Sequence, residues 1–151
     1  MSDADAPPFQ RAILALNGGP SDARIVRLVV DLVPKGAELI AVHVVEIDWT
    51  LPLDADIAGR SEEVQRVLDQ AEVIAEGRKL TLEPVLLQAR DVAAAIVDEA
   101  TERAADLLVV GLPYRQRFGG EFDIGTTVPY ILQNAPCAVW VVREPMSEEP
   151  S

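Results

Sequence analysis

RAILALNGGP, residues Arg11 to Pro20, is a short and almost wholly apolar run that ends abruptly in a polar, glycine-rich turn. It reads as a strand buried on both faces, followed by a tight turn at Asn17-Gly18-Gly19-Pro20. A strand of this kind needs cover on both sides, and the rest of the chain supplies it in alternation. Ile25, Leu28, Val29 and Leu32 fall at helical spacing, and Pro34 and Gly36 stop that helix. ELIAVHVV (Glu38 to Val45) is a second buried strand. Asp48 to Gly59, with Trp49, Pro52 and three aspartates, reads as a surface loop.

The alternation continues to the end of the chain. Val64, Val67, Leu68, Ala71, Ile74 and Ala75 keep a helical stripe closed by Gly77. KLTLEPVLL (Lys79 to Leu87) reads as a third strand, and its Pro84, which cannot donate to a ladder, places it at or near an edge. Asp91 is a good N-cap for a helix carrying Val92, Ile96, Val97 and Ala100. DLLVVG (Asp106 to Gly111) is a fourth strand. Thr126 to Gln133 forms a short helix with Pro129 in its first turn, and CAVWVV (Cys137 to Val142) is a fifth strand. The order β-α-β-α-β-α-β-α-β predicts an α/β fold, a single open parallel five-stranded sheet with helices on both faces and right-handed crossovers. Pattern alone leaves the strand order open between the common doubly wound arrangements.

The totals agree with one domain. A chain of 151 residues is one domain's worth, and at that size roughly 70% of the unfolded surface is buried without help from metal or disulfide. The expected division is a flexible lead over 1–10, a folded domain over 11–143 and a disordered tail over 144–151. No apolar run reaches the ~20 residues of a spanning helix. The N-terminus is acidic where a secretory signal would be basic and then apolar. The lone Cys137 cannot form an internal bridge. Together these lead us to expect a cytoplasmic protein. Asp and Glu number 25 against 13 Lys and Arg, a net charge of −12 that argues against nucleic acid and anionic membrane as partners.

In open sheets of this kind ligands sit beyond the carboxyl ends of the strands, where the winding reverses. Two loops there look unlike ordinary connectors. One is Asn17-Gly18-Gly19. The other is GLPYRQRFGGEFDIGTT, Gly111 to Thr127. In the second, Gly111, Gly119, Gly120 and Gly125 permit sharp turns and close approach. Gly125-Thr126-Thr127 opens a helix whose free N–H groups favour an anion, and Arg115 and Arg117 add positive charge suited to phosphate. The alternative is a loop whose arginines offset Glu121 and Asp123, and spacing alone leaves both open.

At these residues the chain resembles the universal stress proteins. The polar-glycine turn after the first strand carries the resemblance, with His43-Val44-Val45, DLLVVG and NAPCAVWVVR (Asn134 to Arg143). The likeness covers about Arg11 to Arg143. It implies strand order 3-2-1-4-5 in a Rossmann-like fold of the adenine nucleotide alpha hydrolase type, so the two unusual loops would face each other. Nucleotide-binding members carry Gly-x-x-Gly, nine residues, then Gly-Ser/Thr. Here Gly111 fits the first glycine and Gly125-Thr126 the last pair, while Tyr114 replaces the second glycine and ten residues separate it from Gly125. Asn17 stands where those members have aspartate, and Val44 matches the backbone position that helps hold adenine. The resemblance implies a regulatory, stress-response protein that takes ATP or AMP, with Mg accompanying ATP. The binding residues would be Asn17, Gly18, Val44, Gly111, Tyr114, Arg115, Arg117, Gly119, Gly120, Gly125, Thr126 and Thr127. It also implies a homodimer through the last strand, Val139, Trp140, Val141 and Val142.

Other chemistry finds little support in the residues. His43 lies inside an apolar strand with no nucleophile indicated beside it, so it reads as a packed or satisfied core residue. Cys137 opens a buried strand and has no basic neighbour in sequence. One His and one Cys give no metal-ligand spacing. There is no Walker-type phosphate loop and no acid/base pair. We therefore expect a binding protein and not an enzyme, with slow ATPase activity left open. The competing reading is a nucleotide-independent dimeric module that regulates a transporter or another partner protein.

Overall fold

The computed structural model describes residues 9–19, 21–52, 60–116 and 120–146. Most of the acidic lead, Pro20, residues 53–59, the tail from 147, and with residues 117–119 the site candidates Arg117 and Gly119 lie outside the described residues.

Nine elements alternate: β1 (Arg11–Leu16), α1 (Asp22–Leu32), β2 (Glu38–Glu46), α2 (Arg60–Gly77), β3 (Thr81–Ala89), α3 (Val92–Glu102), β4 (Leu107–Leu112), α4 (Thr127–Asn134) and β5 (Ala138–Arg143). They build one parallel sheet in the order β3-β2-β1-β4-β5. β1 is central because it is apolar on both faces. Leu14 pairs with Ala41 on one side and Val109 on the other. Alternate residues then divide into two cores. Ala12, Leu14, Leu39 and Val109 pack under α1 and α2, while Ile13, Ile40, Val42 and Leu108 pack under α3 and α4. Each fully buried Leu or Ile contributes about 1.5–3 kcal/mol, so the two faces of the sheet carry most of the stability.

Local signals behave as their chemistry requires. Asp91 caps α3, its carboxylate accepting from the Ala94 amide at 3.1 Å. Pro84 lies in edge strand β3. β3 starts two residues later than the sequence suggests because Lys79 sits in the left-handed region (φ 60) and helps close α2, its amide bonded to the Glu76 carbonyl. β4, α4 and β5 each begin one residue later than read.

The helical stripe of α1 needs a larger correction. Leu28 and Leu32 are exposed, at 38% and 57%, and the buried set is Ile25, Val26, Val29, Val30 and the following Val33. The segment is so rich in Val, Ile and Leu that two helical phases are equally apolar. Packing against the sheet selects one of them. At Gly111 of β4 an added Cβ would lie 2.8 Å from Ile25 Cδ1, which shows how closely the helix approaches there. This phase is testable. Ile25→Ala should cost about 2–5 kcal/mol in chemical denaturation, whereas Leu32→Ala should stay within about 0.5 kcal/mol. Equal losses would restore the other phase.

Candidate functional site

β1 and β4 run side by side from Ala12↔Leu107 to Ala15↔Val110 and then part. After Leu16 the chain turns into α1 on one face. After Leu112 it passes through the long loop to α4 on the other. The divergence opens a cleft of about 610 Å³, with α2 and the end of β2 forming further walls. Its apolar lining includes Leu16, Val44, Val45, Val64, Ile96 and Val110.

The turn after β1 is organised by a residue that motif reading passed over. Asp22, the first residue of α1, is 5% exposed. Its carboxylate accepts from the Gly18 amide at 2.8 Å and the Asn17 amide at 3.2 Å. The Asn17 side chain folds back to accept from the Gly19 amide at 2.7 Å. The amides of this turn therefore face inward onto protein oxygens, because a buried carboxylate must be hydrogen-bonded. Burial pushes the Asp22 carboxyl above its ordinary range, against the opposing pull of the Asn17 and Gly18 amides and of nearby His43, and Glu144 pushes it the same way as burial. An acid in the first turn of a helix just after a glycine-rich bend was the available signal.

His43 proves to be both satisfied and part of the cleft. Its Nδ1 lies 3.0 Å from the Leu16 carbonyl, which can only accept, so Nδ1 carries the proton. In the neutral ring Nε2 is then the acceptor. Glu144, in the segment read as tail, also borders the cleft. It donates its amide to the Leu112 carbonyl at 2.8 Å and accepts from the Ser21 hydroxyl at 2.6 Å. The bond fastens the end of β5 to the start of α1.

The described flanks of the long loop pair with each other. The Asp123 amide donates to the Arg115 carbonyl at 2.8 Å and Gln116 pairs with Phe122, so the loop doubles back on itself. Tyr114 stacks on Phe122 with ring centroids 5.4 Å apart, and the Arg143 guanidinium sits 5.0 Å over its face. Tyr114 is thereby held out of the cleft lining, and Gly120 is outside it too. The reason is aromatic pairing, which places the ring beside its own loop. The other described candidates come together around the cleft: Asn17, Gly18, Val44, Gly111, Arg115, Gly125, Thr126 and Thr127.

At the start of α4, Gly125 adopts φ +73, a conformation that L side chains rarely take, and its amide donates to Asp123 Oδ1 at 3.1 Å. Thr126 makes no side-chain cap. Pro129 in the first turn has no N–H to satisfy, which leaves the amides of Thr126, Thr127 and Val128 as the donors without an intrahelical acceptor. Arg115 lines the cleft, and its guanidinium has no carboxylate within ion-pair distance among the described residues. Carboxylates dominate the remaining charge, with Asp22, Glu46, Glu63, Asp123 and Glu144 all in the lining. No three His, Cys, Asp or Glu side chains converge as a metal site among the described residues. Cys137 is half-buried, and burial raises its thiol pKa, which suits packing.

The model of the universal stress protein family matches residues 8–143. The chain belongs to that family. A sensor protein KdpD of Mycobacterium tuberculosis is 29% identical over 143 residues, which is 94% of this chain but 15% of that protein, so the chain spans only a small part of its relative's length. A universal stress protein from Archaeoglobus fulgidus in complex with dAMP is 19% identical, with a TM-score of 0.67, covering 89% of this chain and 98% of that one. A family protein from Arabidopsis thaliana with AMP bound is 16% identical, with a TM-score of 0.65 over 94% of this chain and 97% of that one. At these identities the solved structures share the fold with this chain.

The buried carboxyl has a pH signature. Because Asp22 titrates higher when folded than its ordinary value of 3.8, the folded state holds more protons in the window above that value, and stability falls as pH rises through it. Asp22→Asn removes that contribution. The melting temperature of the parent minus that of the variant should decline as pH rises from 3.8 upward. A difference independent of pH would show the carboxyl to be unshifted.

Proposed function

We propose that this universal stress protein is a regulator that binds an adenine nucleotide in the cleft beyond β1 and β4. The observation that carries the reading is the meeting of Asn17, Val44, Gly125 and Thr126 on one cleft, in a fold whose relatives have been solved with AMP and dAMP. The apolar lining suits a purine ring, and a ribose hydroxyl would bond to Asn17 or to a neighbouring carboxylate. The phosphate end would lie at the start of α4, between its first-turn amides and Arg115. Nothing in this arrangement asks for a nucleophile or general base, so the protein acts by occupancy. The nucleotide orders the loop from Gly111 to Thr127 and changes a partner surface, which requires that the two states differ in affinity for it.

The partner surface we propose is the exposed edge of β5. That strand has one unpaired edge, with Val141 38% exposed and Trp140 packed edge-on against Phe9 at 5.0 Å. A second copy pairing there would bury an otherwise unsatisfied strand edge. The occupied amides of the β1 turn favour a second reading, a dimeric module that regulates a partner without nucleotide. The similarity to part of a sensor protein suits either role. In both cases we place the protein in the cytoplasm; no described helix is long and apolar enough to cross a membrane.

Mass spectrometry of the purified protein and calorimetry with AMP decide between the two readings. Bound adenylate, weakened about tenfold or more by Gly125→Ala, is the expected result. A flat titration and no co-purifying nucleotide would leave the partner role alone. Light scattering should report a dimer at micromolar concentration that Val141→Asp converts to monomer.

A further inference from the structure

The last residue of β5 and the one after it reach opposite sides of the cleft. Arg143 pairs with Leu112, and Glu144 continues the ladder by donating its amide to the Leu112 carbonyl at 2.8 Å. Consecutive residues of an extended chain point to opposite faces of a sheet. Trp140 and Val142 pack with the core under α1, and Val139 packs with the core under α4. Glu144 therefore shares the α1 face and Arg143 the α4 face. One strand end presents a carboxylate to the start of α1 and a guanidinium to the loop that leaves β4.

We infer that Glu144 and Arg143 are positioning residues that hold the two lips of the cleft at the separation its ligand needs, Glu144 acting through Ser21 and Arg143 through Tyr114. This rests on the adenylate reading of the cleft and deepens it.

The α1 lip hangs on one hydroxyl. Ser21 stands at the N-cap of α1, where a hydroxyl ordinarily serves the helix's own amides. It makes no such cap, and donates instead to Glu144 Oε1 at 2.6 Å. A bond to a carboxylate is stronger than one between neutral groups. The next residue, Asp22, carries the β1 turn by accepting from the amides of Asn17 and Gly18. Fixing Ser21 thus fixes Asp22, and with it two residues of the cleft lining.

The loop lip hangs on an aromatic pair. The Arg143 guanidinium lies 5.0 Å from the centre of the Tyr114 ring, and that ring stacks on Phe122 at 5.4 Å. Tyr114 and Phe122 are the chain neighbours of Arg115 and Asp123, which line the cleft and are joined by the bond from the Asp123 amide to the Arg115 carbonyl. The cation holds the rings, and the rings hold the backbone that carries Arg115.

Hydrogen exchange on the full chain without ligand, followed by calorimetry with AMP, tests this. Ser21→Ala should speed exchange at the amides of Asn17, Gly18 and Gly19 and leave that of Asp123 unchanged. Arg143→Ala should do the reverse. Ser21→Ala should weaken AMP about threefold or more, and Arg143→Ala about twofold or more. Glu144→Ala should bind AMP about threefold or more weakly than Glu144→Gln. Both variants lack the charge, so their difference isolates the acceptor for Ser21. Adding Ser21→Ala to Glu144→Ala should cost nothing further, and Arg143→Lys, which keeps a cation over the ring, should stay within about twofold of the parent. Exchange unchanged at both lips would overturn the inference, and so would acceleration spread evenly through the sheet, the mark of a merely structural role. Lips that loosen while AMP affinity stays at the parent's value would overturn it too, and would leave the adenylate reading standing. If the parent protein binds no AMP at millimolar concentration, the adenylate reading itself fails and this inference falls with it.

Discussion

Strand β1 is hydrogen-bonded along both edges, to β2 and to β4, while the chain leaves β1 and β4 toward opposite faces of the sheet. That single constraint produces the rest of the site. Two parallel strands whose exits must diverge cannot be covered at their carboxyl ends by one connection, so a hollow opens there. Its depth depends on apolar residues packed in the two cores, Leu14 and Val109 on one side and Ile13 and Leu108 on the other. The cleft is therefore held by the most buried part of the molecule, although its own walls are turns.

Within that frame the chemistry of the rim is governed by buried charge. Asp22 sits at the start of α1 and faces the amides of Asn17 and Gly18, so the turn is closed by a carboxylate from the same chain. The helix dipole favours an acid at that place, while burial disfavours its charged form, and burial prevails. An internal carboxylate holds the donors that an external anion would otherwise use. The α4 end differs, since Thr126 leaves its helix uncapped and the first-turn amides have no internal competitor. The asymmetry between the two helix starts gives the cleft a polarity, with the uncapped helix start at α4.

Tyr114 shows how a substitution in a motif is absorbed. A ring in place of a close-approach glycine would crowd the cleft if the loop kept an open course. Instead the loop doubles back through the Asp123–Arg115 bond, and Phe122 and Arg143 hold the ring at its outer side. The stacking leaves the ring outside the cleft lining.

What the sequence determined by itself was the order and type of the elements, the parallel sheet, the edge position of Pro84, the cap at Asp91 and the pair of loops at the rim. These rest on periodicity, on proline and glycine stereochemistry and on side chains that bond their own neighbours, all of which act over a few residues. The tertiary structure alone decided the phase of α1, because two faces of that helix are equally apolar. It also decided where the donors of the β1 turn point, the placement of His43 and Glu144 on the cleft, and the outward stacking of Tyr114. The placement of His43 and Glu144 depends on contacts between residues far apart in the chain, Leu16 with His43 and Ser21 with Glu144, and no local pattern encodes the distance between them.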